Sequence, residues 1–62
     1  MSLVWFTDKV TQQKVAINPE YVVAVFTASE GELKDTTIIS LVNGTIPVVE
    51  TDIEVVASVS GV

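Results

Sequence analysis

The chain contains no cysteine, no histidine and no arginine. Without cysteine it has no disulfides and no thiolate metal site. Without histidine it lacks the usual general base, and the best side-chain nucleophile is gone with the cysteine. Positive charge is scarce: Lys9, Lys14 and Lys34 face eight carboxylates, for a net charge of −5. Such a surface keeps a small apolar protein dissolved and repels phosphate. No apolar run approaches the ~18 residues that a membrane-crossing helix needs. Met1-Ser-Leu-Val-Trp-Phe6 lacks the basic region of a signal peptide, so a cytoplasmic location is the default expectation.

What is present is β-branched. Apolar residues make up 48% of the 62 positions, most of them Val and Ile. That composition favours strands and argues against disorder. A chain this short is one domain, residues 1–62. It buries only about 60% of its unfolded surface, so its core is marginal. Small domains are commonly supported by disulfides, a metal or oligomerisation. With cysteine and histidine missing, self-association is the expected support.

Leu3 to Thr7 reads as a short strand carrying Trp5 and Phe6, followed by a polar turn over Asp8 to Gln13. Lys14 to Ala28 reads as one long strand, kinked or bulged at Asn18-Pro19, because proline has no N–H to give a ladder. Two strands joined by a tight turn are the alternative. Ser29 to Asp35 is an acidic loop. Thr36 to Val42 and Thr45 to Glu50 form a hairpin about Asn43-Gly44, two residues that tolerate positive φ. Pro47 would break the ladder of the simplest Asn-Gly hairpin, so a longer loop or a bulge is expected beside it. Thr51-Asp-Ile-Glu54 fits a capping box and predicts a helical turn. The valines of Val55 to Ser60 then favour a last strand, with a short final helix as the alternative.

Alternation is poor in the central strands. Ile39, Leu41, Ile46 and Val48 share one face, yet Ile38, Val42, Pro47 and Val49 make the other half apolar. Two apolar faces suggest a closed barrel with something packed outside it, or a subunit contact. The expected fold is therefore all-β: a small five-stranded barrel, Sm-like or SH3-like, with a long kinked second strand and a short helical turn before the last strand.

The segment Asp35-Thr-Thr-Ile-Ile-Ser-Leu-Val-Asn-Gly-Thr-Ile-Pro-Val-Val-Glu50, preceded by Ile17-Asn-Pro-Glu-Tyr21, resembles small Sm-like β-barrel proteins of probable marine cyanophage origin. It also resembles the FlbD-type proteins of flagellar operons. The resemblance covers residues 14–56. It implies a phage-encoded chain acting in the host cytoplasm, rings built by pairing edge strands of successive subunits, and RNA binding in many members. The corresponding RNA loops here, Ser29 to Asp35 and Glu50 to Glu54, are acidic, and the Arg-Gly of the Sm pattern is missing.

Chemistry has few carriers, and the expectation is a non-enzymatic module without cofactor or metal. Glu50, Asp52 and Glu54 alternate but do not match a calcium loop. Trp5 and Tyr21 could stack bases, with Lys9, Lys14 and Lys34 toward phosphate; the competing reading places the aromatics in the core or an interface. Val55, Val56, Ala57 and Val59 are the expected subunit contact, as an exposed edge strand. Self-association is the leading expectation, and an Sm-like ring on single-stranded RNA or DNA the alternative.

Overall fold

The computed structural model describes residues 3–61. Its first hairpin joins β1 (Val4–Thr7) to β2 (Lys14–Ile17), antiparallel, with Phe6 opposite Val15 and Trp5 opposite Ala16. Successive strand residues face opposite sides, so Phe6 is buried while Trp5 stays exposed. The connecting loop is organised by Asp8, whose carboxylate accepts the N–H groups of Val10 and Thr11 at 2.8 and 3.2 Å.

Asn18-Pro19 divides what reads in sequence as one long strand. The Asn18 side chain accepts the Glu20 N–H at 3.0 Å, and Pro19–Tyr21 makes one 3-10 turn. Proline suits this first helical position because its missing N–H would be unpaired there anyway. The chain then re-extends as β3 (Val22–Thr27). The expected kinked second strand is thus two strands, β2 and β3, lying in different sheets.

The second sheet has the order β3-β4-β5, with β4 Thr37–Leu41 and β5 Gly44–Val48. Its hairpin corrects the expected turn. Leu41 pairs with Gly44, so the two loop residues are Val42 and Asn43, one position earlier than Asn43-Gly44. Of the Asn-Gly pair, only Gly44 takes a positive φ, +156°. This register also removes the need for a longer loop beside Pro47. Counting from the closing pair Leu41–Gly44, Ile38–Pro47 is a non-hydrogen-bonded pair. The ladder passes through Pro47 because no N–H is required there. The outward-facing Pro47 carbonyl instead accepts the Lys9 N–H at 2.9 Å. A register shift between Val22 and Ala24 marks a bulge in β3.

The expected closed five-stranded barrel is not formed. The strands make two small open sheets, of two and three strands. Among the described residues one β-bridge links their backbones, Asp8 to Val48, flanked by the Lys9–Pro47 bond and a Val49 N–H to Thr7 carbonyl bond of 2.9 Å. The helical turn expected at Thr51–Glu54 forms, but it continues as a nine-residue helix, α1 (Asp52–Ser60), so the alternative of a final helix holds and the expected last strand does not. Thr51 caps it: its hydroxyl accepts the Glu54 N–H at 3.2 Å and donates to the Glu54 carboxylate at 3.1 Å. Val55 and Val59, four residues apart, share one helical face and pack into the core. That packing overrides the β preference of valine. A helix cannot extend the β1 ladder, which leaves the sheets open.

The core is Phe6, Ile17, Ile39, Val48 and Val55, flanked by Val4, Val15, Val22, Val25, Leu41, Ile46 and Val59. Burying each large side chain contributes about 1.5–3 kcal/mol before the cost of ordering the chain.

Candidate interaction surface

Because only one face of α1 enters the core, a second face stays wet. Ile53 and Val56, three residues apart, lie along it, with Ile53 79% exposed. Together with Val25 of β3, Ala57 and Asp52 they line a shallow, mostly apolar groove. The Thr27 hydroxyl donates to the Asp52 carboxylate at 3.3 Å, which ties the start of α1 to the end of β3.

Charge is distributed unevenly along the molecule. Thr7, Lys14, Thr27, Thr37 and Val48 lie at one end of the sheets, by their pairing. The loops that follow or precede them carry Asp8, Glu30, Glu32, Asp35 and Glu50, and the first turn of α1 adds Asp52 and Glu54. All three lysines lie at this end as well. Of the chain's eight carboxylates only Glu20 lies at the other end, beside the exposed Tyr21 and Val42. One end is acidic and the other nearly uncharged.

Glu50 is the most engaged of these acids. Its carboxylate accepts the Thr7 N–H at 2.9 Å and the Thr7 hydroxyl at 3.0 Å. Burial, the largest single influence, pushes the carboxyl up. The bonds from the Thr7 N–H, from its own N–H and from the Thr7 hydroxyl, with the field of Lys14, together outweigh burial and hold it below its ordinary value.

The residues singled out in sequence fall in separate places. Trp5 and Lys14 share the outer face of the first hairpin on a diagonal, since Trp5 opposes Ala16 and Lys14 opposes Thr7. Glu50, bound to Thr7, offsets Lys14 there. Tyr21 ends the 3-10 turn, Lys9 lies in the first loop and Lys34 in the β3–β4 loop. The contact expected at Val55, Val56, Ala57 and Val59 is helical, not an edge strand: Val55 is fully buried, Val59 packs beside it, and Val56 and Ala57 face the groove. The groove itself was missed in sequence because Val25 and Ile53 meet only in the fold. The Ile53–Val56 spacing was its one visible sign.

Among the described residues, no group of three or more potential metal ligands gathers, and no helix is long and apolar enough to cross a membrane. No family model, curated protein or solved structure matches the chain.

Proposed function

We propose that this chain is a non-enzymatic interaction module that works by associating with itself. The observation that carries this reading is the groove of Val25, Ile53, Val56 and Ala57, apolar walls left in water by a domain too small to spare them. The absence of histidine and cysteine from the sequence supports a role without acid–base or nucleophilic chemistry. Light scattering at micromolar concentration tests it. A mass that is a multiple of 6.6 kDa supports self-association, and a mass of 6.6 kDa rejects it.

A second reading, binding of single-stranded RNA or DNA, draws on the exposed Trp5 diagonal to Lys14. Net charge and the Glu50 carboxylate beside Lys14 weigh against it. Fluorescence anisotropy with poly-U and poly-A oligomers, at about 50 and 200 mM salt, separates the two. Micromolar binding at the higher salt, lost on Lys14→Ala, would favour the nucleic-acid reading.

A further inference from the structure

We propose that Asn43 is a site of self-modification: the Gly44 backbone nitrogen closes on its carboxamide, and the residue converts to aspartate and isoaspartate at the nearly uncharged end of the domain. The chain has two asparagines, Asn18 and Asn43. The fold treats them in opposite ways. Asn18 precedes Pro19, whose nitrogen carries no proton to lose, and its side chain accepts the Glu20 N–H at 3.0 Å. Asn43 precedes Gly44 and lies exposed in the turn, and no group among the described residues bonds its carboxamide.

The hairpin register sets the access. The ladder closes at Leu41–Gly44, so Asn43 is a loop residue that carries no rung. Turning its backbone to bring Cγ over the Gly44 nitrogen disturbs the closing rung alone. That rung is the last of its ladder, and such ends open at little cost in free energy. Gly44 has no Cβ to crowd the attacking nitrogen, and nothing lies within 4 Å of where one would be. The space that the carboxamide and water need is open.

The atoms balance with water alone. Hydroxide takes the Gly44 amide proton, and the electron pair left on nitrogen forms a bond to Cγ of Asn43. The Cγ–Nδ2 bond breaks, and the nitrogen leaves as ammonia after taking a proton from water. A cyclic imide remains, made of the Gly44 nitrogen and the backbone carbonyl carbon, Cα, Cβ and Cγ of Asn43. Water then opens it. Breaking the bond from nitrogen to Cγ gives aspartate. Breaking the bond from nitrogen to the backbone carbonyl carbon gives isoaspartate, with the chain routed through Cβ and Cγ. Loss of ammonia makes the change one-way. Either product adds one negative charge to the net −5. The charge lands away from most of the acids, next to Val42, whose N–H bonds the Tyr21 carbonyl at 3.1 Å.

The test stores the folded wild type, Gly44→Ala and Asn43→Gln at neutral and mildly alkaline pH, with folding checked by circular dichroism. Ion exchange and mass spectrometry follow the product. Cleavage after lysine puts Asn18 in the peptide 15–34 and Asn43 in the peptide 35–62. The wild type should accumulate a more acidic form whose mass reflects exchange of NH for O. The change should be confined to peptide 35–62, should include isoaspartate, and should quicken in proportion to hydroxide. Gly44→Ala should slow it roughly tenfold or more, because a Cβ crowds the attacking nitrogen. Loosening of the turn in that variant acts in the opposite direction, so it cannot imitate the slowing. Asn43→Gln, which would need a larger ring, should stay unmodified over the same period. A folded wild type left intact would overturn the proposal, whether or not its urea-unfolded form converts. So would modification in peptide 15–34 alone. Conversion of Gly44→Ala as fast as the wild type would refute attack by the Gly44 nitrogen.

Discussion

The carboxylate of Glu50 holds both the backbone N–H and the hydroxyl of Thr7, forty-three positions earlier in the chain. These bonds fasten the end of β1 to the segment between β5 and α1, beside the Asp8–Val48 bridge that links the two sheets. They do locally what a continuous ladder would do in a closed barrel.

Glu50→Gln is expected to cost about 1 kcal/mol, below the ~1.5–3 kcal/mol typical of a bond to a charged group because the site is partly solvated. The pH dependence has a definite sign. The Glu50 carboxyl is lowered in the fold, so its contribution is present above the unfolded value of ~4.3 and is lost as pH falls through the lower folded value. Urea titrations at neutral and acidic pH check this. The wild type should lose its advantage over Glu50→Gln as the medium is acidified, and a constant difference would contradict the role given to the carboxylate.

The helix should depend on its cap and on one buried side chain. Thr51→Ala removes the acceptor for the Glu54 N–H and should cost about 1 kcal/mol, with Thr51→Ser close to the wild type. Val55→Ala, at a fully buried position, should cost roughly 2 kcal/mol from lost burial and the cavity left behind. Ile53→Ala, two residues away, should change the stability of the isolated chain by less than about 0.5 kcal/mol because its side chain is mostly exposed. Chemical denaturation measures all of these. Equal losses at Val55 and Ile53 would mean that the helix packs on another face.

The hairpin turn makes a third case. Nothing approaches within 4 Å of the place a Cβ would occupy on Gly44, yet its φ is +156°. Gly44→Ala should therefore destabilise by about 1 kcal/mol through backbone conformation alone. Asn43→Ala should cost less, since Asn43 does not take a positive φ. A larger loss at Asn43 than at Gly44 would indicate the Asn43-Gly44 turn instead of the Val42-Asn43 turn.

Local chemistry was legible in the amino-acid sequence. The Val/Ile runs marked the strands, Asn18-Pro19 marked an interruption, and Thr51 to Glu54 announced a helix start. In each case the signal depends on neighbours a few residues apart: a missing N–H, a hydroxyl within reach of an amide. The net charge and the missing residue types were equally independent of the fold.

The tertiary structure decided what distant residues do together. Whether Asp52–Ser60 continued as helix or turned to strand depended on whether Val55 and Val59 found a core to enter, and they did. The hairpin register turned on aligning the unbonded side of Pro47 with Ile38. Glu50 found Thr7, and Val25 met Ile53, only after two separate sheets had formed. Valine is compatible with helix or strand, and a carboxylate with many partners. Differences of about 1 kcal/mol per residue in local preference are smaller than the burial of one side chain. Packing therefore chose among alternatives that local preference left nearly equal in energy.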